Sequence, residues 1–261
     1  MTIERRDLGD GGVALVAGDL ERAGFLAAFF ERTGGRSEAP FDTLNGSFQV
    51  GDRDGDVAEN RCRAAAAFGL ERFCVPGLVH GTGIAIVGAA RAVDGFHAPA
   101  RLLASADGTT TRTAGIGLGA FSADCAIALL ADPRDGRVAL VHAGWRGLAA
   151  GIVQRGAGLF ADRREVRAAI GPAIRACHYE VGEEVVRAVA AGSPAGAVSE
   201  RRGGRVFLGL ADTVRGILAA EGIHQVEDTQ VCTACEPSRF FSYRRDGTTG
   251  RHLALAMRLP V

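Results

Sequence analysis

Short apolar runs alternate with longer segments of helical spacing, and this alternation is the strongest constraint on the fold. The clearest helical segments are 57–69, 148–161, 181–191 and 208–221. The apolar runs cover residues 13–17, 84–88, 126–131, 137–142, 166–170 and 252–257. Such a mixture predicts an α/β fold of the mixed α+β kind, in which helices cover mixed β-sheets. Glycine-rich stretches at 192–196 and 201–205 indicate surface loops, and residues 88–100 are a further candidate loop.

Composition excludes several classes of protein. A chain of 261 residues with 47% hydrophobic content can bury a large core, and its 30 basic and 30 acidic residues cancel. We therefore expect no general attraction to nucleic acid or to a membrane, and any anion must be bound locally. All the basic residues are arginine, which excludes a Schiff-base lysine and a P-loop lysine. Without a signal peptide or a long apolar stretch, the sequence predicts a cytoplasmic protein whose six cysteines are reduced thiols or ligands.

Three candidate metal ligands stand at the ends of apolar runs. His142 follows a run that gives way to a glycine-rich helix start, Cys125 precedes another run, and His80 precedes Gly81. Two imidazoles and one thiolate are the ligand set of an open zinc site, provided that these segments end at one point. Taken singly, each histidine is also typical of a buried core histidine, and Cys125 of a small buried apolar residue. The residues alone leave both interpretations open.

Many motifs in a fixed order make the chain resemble one known family. They are Glu-Arg-Thr-Gly-Gly-Arg-Ser at 31–37, Phe-Asp-Thr-Leu-Asn at 41–45, Val-Gly-Asp at 50–52, Glu-Asn-Arg at 59–61, Val-His-Gly at 79–81, Ala-Asp-Cys at 123–125, His-Ala-Gly-Trp-Arg-Gly at 142–147, Ile-Gly-Pro-Ala-Ile at 170–174, Tyr-Glu-Val-Gly at 179–182, Cys-Thr-Ala-Cys at 232–235 and Arg-Phe-Phe-Ser-Tyr-Arg-Arg-Asp-Gly at 239–247. The sequence resembles the YfiH-type laccase-domain proteins, also called peptidoglycan editing factors or multi-substrate purine nucleoside phosphorylases. The resemblance implies a single layered domain over residues 1–261. One departure is Leu78, which replaces the glutamine usual before Val-His-Gly.

The resemblance implies that His80, Cys125 and His142 bind a metal, normally zinc, with copper as the alternative. Zinc in such a site lowers the pKa of bound water to about 7 or polarises a substrate oxygen. Cys125 and Asp124 are the candidate catalytic residues, with Asp124 placed to orient water or a ligand. The implied activity is phosphorolysis of adenosine, inosine, guanosine and methylthioadenosine, together with adenosine deamination. The expected partners are purine nucleosides and phosphate, and the expected state is a monomer or a homodimer.

Motif-borne polar residues are the candidate phosphate and nucleoside ligands. They are Arg32, Asn45, Arg146, Arg244 and Arg245. Arg146 stands at a predicted helix start, where free N–H groups and the helix dipole favour an anion. Without the resemblance, Arg244 and Arg245 would indicate only a surface pair.

The remaining thiols carry a weaker signal. Cys232 and Cys235 form one Cys-x-x-Cys pair, typical of a redox pair or half a zinc ribbon, but the sequence has no second such pair. We therefore expect them to pack near the site. Cys177 and His178 are a possible metal pair, but adjacent residues of a strand point to opposite faces.

Two other functions fit parts of the sequence. A peptidoglycan-precursor editing protein would be a hydrolase with Cys125 as nucleophile, or a binding partner, but a cysteine that ligates zinc is not free to attack. A copper-dependent phenol oxidase would need many histidines, and the sequence has six. We expect phenol oxidation only as a side activity.

Overall fold

Two six-stranded mixed sheets pack face to face, and helices cover their outer faces. The computed structural model describes residues 3–88, 95–96 and 105–260, so most of the loop predicted at 88–100 lies outside the described residues. In the first sheet the strand order is β1 (Ile3–Gly9), β2 (Gly12–Ala17), β3 (Phe25–Phe30), β15 (His252–Arg258), β7 (Ile116–Ser122) and β4 (Arg72–Cys74). In the second sheet it is β14 (Gln225–Asp228), β10 (Arg167–Ile170), β8 (Ala126–Asp132), β9 (Arg137–Ala143), β6 (Gly108–Thr111) and β5 (Ile84–Ile86). Both sheets are mixed, because β4–β7, β5–β6 and β10–β14 pair in parallel and their other pairs are antiparallel.

A small third sheet and short helices complete the described part of the chain. The third sheet has the order β11 (Glu180–Val181), β13 (Arg205–Leu208) and β12 (Ser199–Arg202). The helices are α1 (Gly18–Arg22), α2 (Asp54–Ala66), α3 (Trp145–Ala149), α4 (Ile152–Ala157), α5 (Glu183–Ala191), α6 (Leu210–Ala220) and α7 (Tyr243–Asp246). No helix among these is both long and apolar enough to cross a bilayer.

Strand alternation builds the layers. Along β8, Ile127 and Leu129 lie in the apolar cluster between the two sheets, whereas Ala128 and Leu130 lie in the cluster that faces α3 to α6. A third cluster joins the outer face of the first sheet to α2. Burying one leucine in such a layer stabilises the fold by roughly 1.5–3 kcal/mol. The predicted mixed, layered α+β class is confirmed.

All six predicted apolar runs contain strands, and one predicted helix is corrected. The segment 148–161 forms two short helices, α3 and α4, because Gly151 adopts φ +85° between them. A positive φ is open to glycine and interrupts the helical hydrogen-bond ladder. The chain therefore turns sharply just after the segment that carries His142 and Arg146.

Candidate metal centre and active site

His80, Cys125 and His142 come together at one end of the second sheet. Their ligand atoms all lie within 4.8 Å of one another. Cys125 Sγ is 4.0 Å from His80 Nε2, and the two imidazole rings meet edge to face with centroids 5.1 Å apart. Two imidazoles and one thiolate at this spacing could hold a metal with an open fourth position.

Three separate segments of backbone position the cluster. Cys125 directly precedes β8, and His142 lies on the neighbouring strand β9, where it pairs with Ile127. His80 lies in the loop between β4 and β5 and adopts φ +59°, and Asp124 adopts φ +98°. For residues other than glycine such angles cost of the order of 1–3 kcal/mol each, and they concentrate at functional sites.

Asp107, which the sequence did not single out, holds the cluster in place. It precedes β6, its side chain is fully buried, and its Oδ1 lies 3.0 Å from His142 Nδ1. The same carboxylate accepts from the backbone N–H groups of Val79, His80 and Gly81 at 3.2, 2.8 and 2.6 Å. Burial raises the pKa of Asp107, but the His142 contact and these N–H donors outweigh it and lower the pKa overall. Asp107 therefore stays ionised and, by holding His142 through Nδ1, leaves Nε2 as the ligand atom.

The cluster favours the thiolate form of Cys125. Burial opposes ionisation, but the imidazoles of His142 and His80 outweigh it and lower the pKa of Cys125 to about 6. Burial likewise opposes the charged form of His142, but the Cys125 thiolate and Asp107 raise its pKa to about 9. The thiolate is the form that ligates a metal, whereas His142 ligates only as the neutral imidazole, so a divalent ion would bind here with release of the His142 proton.

Gly144 leaves the room that the cluster needs. A Cβ atom at this position would lie 3.0 Å from both Cys125 Sγ and His80 Cδ2. Any larger residue would displace a proposed ligand.

A cavity of about 430 Å³ opens over the cluster, within the size range of small-molecule sites. Besides the three proposed ligands, its wall includes Leu78, Phe121, Tyr243 and Arg251. Leu78 thus places an apolar side chain in the wall of the cavity. Tyr179 lies close enough to Cys125 to feel its charge, and burial together with that charge raises the pKa of Tyr179 to about 12.

Three arginines near the cavity lack a carboxylate partner among the described residues. Arg251 Nη1 donates to the carbonyls of Thr249 and Gly250 at 2.7 and 3.0 Å. Arg244 lies over the Tyr179 ring at 4.7 Å and donates to a backbone carbonyl, and Arg146 lies over Trp145 at 4.4 Å. Because α3 has only five residues, the helix dipole predicted to attract an anion at Arg146 is small.

Arg32 and Arg245 make protein contacts instead. Arg32 pairs with Asp42 at 3.1 Å and lies over Phe241. Arg245 pairs with Asp246 and donates to the carbonyls of Thr233, Ala234 and Phe240. Contact of either arginine with a substrate stays a prediction.

Asp124 and Asn45 are held by hydrogen bonds to other parts of the protein. Asp124 accepts from Thr233 Oγ1 at 2.6 Å and from the backbone N–H of Arg244 at 2.7 Å. Asn45, fully buried, accepts from the N–H groups of Ser47 and Arg251 at 3.1 and 2.9 Å. Both residues fix segments that line the cavity, and their direct roles in binding or chemistry stay predictions.

The chain matches a known family along most of its length. A family model described as "Multi-copper polyphenol oxidoreductase laccase" covers residues 26–259. The chain belongs to this laccase-domain family. A relative named purine nucleoside phosphorylase YlmD, from Geobacillus stearothermophilus, is 38% identical over 245 residues, which is 89% of each chain. Another, named purine nucleoside phosphorylase YfiH, from Shigella flexneri, is 36% identical over 87% of this chain and 91% of that protein.

Solved structures confirm the fold of this laccase-domain chain. The crystal structure of YlmD from Geobacillus stearothermophilus superposes with a TM-score of 0.91 at 34% identity, over 99% of this chain and 100% of the other. The structure of the Bacillus licheniformis protein YfiH gives 0.88 at 29% identity, over 98% and 99% of the two chains. The family resemblance seen in the motifs is therefore confirmed.

Proposed function

We propose that this laccase-domain protein is a purine nucleoside phosphorylase that also deaminates adenosine, with zinc bound by His80, Cys125 and His142. The observation that carries the proposal is the cavity: its wall combines this donor set with two aromatic side chains and Arg251, which has no carboxylate partner among the described residues. Relatives that cover most of the chain and are named purine nucleoside phosphorylases support it. The proposed substrates are adenosine, inosine, guanosine and methylthioadenosine with phosphate.

Zinc fits the donor chemistry better than copper does as the working metal. A partly buried thiolate and two imidazoles, one oriented by Asp107, match the open zinc sites of enzymes. When bound, zinc would supply a Lewis acid beside the substrate oxygen or water. The alternative, copper with phenol oxidation, draws on the family description, but six histidines are few for clustered coppers.

Arg251, Arg244 and Arg146 are the proposed phosphate ligands. Burial lowers the pKa of Arg251, which means that its charge is incompletely solvated. A bound phosphate would place negative charge next to that guanidinium and stabilise its positive charge. Asp124 would help to position Arg244, because its carboxylate accepts the backbone N–H of that residue.

The nucleoside would lie between Phe121 and Tyr243, with its ribose towards the arginines. In phosphorolysis a phosphate oxygen forms a bond to C1′ of the ribose, the bond between C1′ and the base nitrogen breaks, and its electron pair leaves with the base. The arginines hold the nucleophile next to C1′, which lowers the entropic part of the barrier. Tyr179, whose raised pKa keeps it protonated, is a donor for a substrate oxygen.

Separate measurement of two products tests the proposal. Ribose 1-phosphate reports phosphorolysis and needs phosphate, whereas inosine formed from adenosine reports deamination, which uses water. Replacing Arg251, Arg244 or Arg146 by Gln should lower phosphorolysis about 10- to 150-fold, the equivalent of one charge-assisted contact of roughly 1.5–3 kcal/mol, and lower deamination less. Arg112→Gln is the matched control, because that arginine pairs with Asp135 on the surface away from the cavity. Equal loss of both products would remove the phosphate assignment.

A peptidoglycan-editing hydrolase with a free Cys125 nucleophile predicts a different result. Removing the metal would then leave or raise activity, because the thiolate would be released from zinc. The phosphorylase proposal requires that chelation abolish turnover and that zinc restore it.

A further inference from the structure

We propose that a second metal site, separate from the cavity, is formed by Cys177, His178, Cys232 and Cys235. Their ligand atoms all lie within 4.8 Å of one another. The expectation from sequence that Cys177 and His178 point apart is wrong, because they lie in the turn 176–178 and not in a strand. Cys232 and Cys235 stand at the two ends of a second turn, in which the Cys235 N–H donates to the Cys232 carbonyl at 3.1 Å, and the ligand atoms of the two turns lie together.

The separations fit a single tetrahedral ion. With bonds of about 2.3 Å to sulfur and 2.0–2.1 Å to nitrogen, tetrahedral geometry requires ligand separations of about 3.8 Å between sulfurs and about 3.6 Å between sulfur and nitrogen. Cys177 Sγ and Cys235 Sγ are 3.6 Å apart. His178 Nδ1 lies 3.4, 3.9 and 3.3 Å from the sulfurs of Cys177, Cys232 and Cys235. A hydrogen bond between two of these side chains would bring only that pair together, whereas all four ligand atoms lie within 4.8 Å of one another.

The surroundings of Cys232 also match a metal-bound thiolate. Its sulfur accepts the backbone N–H of Arg175 at 3.5 Å. Such a donor orients a ligand sulfur and offsets part of its negative charge. Cys232 is the buried member of the set, whereas Cys177, His178 and Cys235 are exposed.

Four protein ligands leave no open position, so the site is structural and takes a thiophilic divalent ion such as zinc. It would join two segments that flank the cavity. Tyr179 follows one pair of ligands directly, and Thr233, which donates to Asp124, lies between the other two. Arg245 also donates to the carbonyls of Thr233 and Ala234. The ion would thus hold one wall of the cavity in position without touching the substrate.

Metal content of the full-length protein tests this site directly. We expect two zinc ions per chain in the wild type and one in Cys235→Ser and in His178→Ala, two variants at exposed positions that the core does not need. Cys62→Ser is the matched control, because Cys62 is a partly exposed thiol of α2 outside both clusters. In cobalt-substituted protein, Cys235→Ser should remove most of the sulfur-to-cobalt charge-transfer absorption, since three of the four proposed thiolate ligands belong to this site.

The outcomes separate this inference from the proposed function. One zinc per chain that disappears in Cys125→Ser and persists in Cys235→Ser would overturn the second site and leave the first. One zinc that disappears in Cys235→Ser and persists in Cys125→Ser would support the second site and remove zinc from the proposed active site. A disulfide between Cys177 and Cys235 in freshly purified protein, seen by mass spectrometry without reductant, would also overturn the inference.

Discussion

Replacing Asp107 by Asn should weaken metal binding at the first site and destabilise the fold at the same time. Both carboxylate oxygens are used: Oδ1 by His80 N–H and His142 Nδ1, and Oδ2 by Gly81 N–H and Val79 N–H. Asparagine keeps only one acceptor oxygen, so its NH₂ group must face a pair of donors. The substitution keeps the size of the side chain, which separates this effect from cavity formation.

The magnitude follows from these contacts. Two hydrogen bonds to a charged acceptor, each of about 1.5–3 kcal/mol, would be lost, so the free energy of unfolding should fall by about 3–6 kcal/mol. Loss of the partner that orients a histidine ligand typically weakens metal affinity by about 10- to 100-fold. We expect the same range for zinc at His80, Cys125 and His142.

Zinc competition with a chromophoric chelator measures the affinity, and urea unfolding with chelator present measures stability. Both are best done in a Cys235→Ser background, which leaves only the first site. Asp132→Asn is the matched control: this buried aspartate lies at the opposite end of β8 and accepts two turn N–H groups through a single oxygen, which Asn retains. Zinc affinity of Asp107→Asn within twofold of its background would refute the proposed role of Asp107.

Three further substitutions have clear expected outcomes. Gly144→Ala should lower zinc content and activity while leaving the fold intact by circular dichroism, because its Cβ would contact Cys125 and His80 at 3.0 Å; wild-type zinc content would contradict this. Burial lowers the pKa of His252 to about 3, so the unfolded chain binds a proton below pH 6.5 that the folded protein does not, and stability falls as the pH drops. Between pH 7 and pH 5, the free energy of unfolding of His252→Phe, measured with urea, should therefore fall by about 2 kcal/mol less than that of the wild type. An equal fall in the two proteins would show that this ring does not titrate as described. Leu129→Ala, buried between the sheets, should cost about 2–5 kcal/mol of unfolding free energy with little effect on zinc affinity, and a large loss of zinc would show that the site is not independent of that layer.

Several strands could not be predicted from the sequence, because their residue types are set by contacts with distant parts of the chain. In β7, positions 117 and 119 are glycine because a Cβ atom at Gly117 or Gly119 would lie within about 2.2 Å of the side chain of Leu70 or Phe73, respectively. In β6, the threonines at 109, 110 and 111 are buried although they are polar and form no apolar run. Periodicity reports a local pattern, whereas both segments are set by tertiary packing.

The functional-site residues also fall into two groups: those that the sequence indicates and those that only tertiary packing reveals. His80, Cys125 and His142 could be singled out because each ends an apolar run or belongs to a motif, and the structure brings them together. Asp107 carries no local signal, since its role depends on the meeting of β6, β9 and the loop around His80. The thiol cluster was missed because turn geometry, and not strand alternation, directs Cys177 and His178.

The position of β15 bears on how the protein folds during synthesis. This strand follows every other described strand in the chain, yet it lies between β3 and β7, with Ala254 paired to Phe29 and to Ala120. The first sheet therefore cannot close until residues 252–258 have left the ribosome, and until then the edges of β3 and β7 remain unpaired. Contacts between such distant segments slow folding and leave strand edges open to misassociation. The β8–β9 hairpin of the second sheet, by contrast, needs only the short turn after Asp132. Cys125 and His142 can therefore meet long before the first sheet is complete.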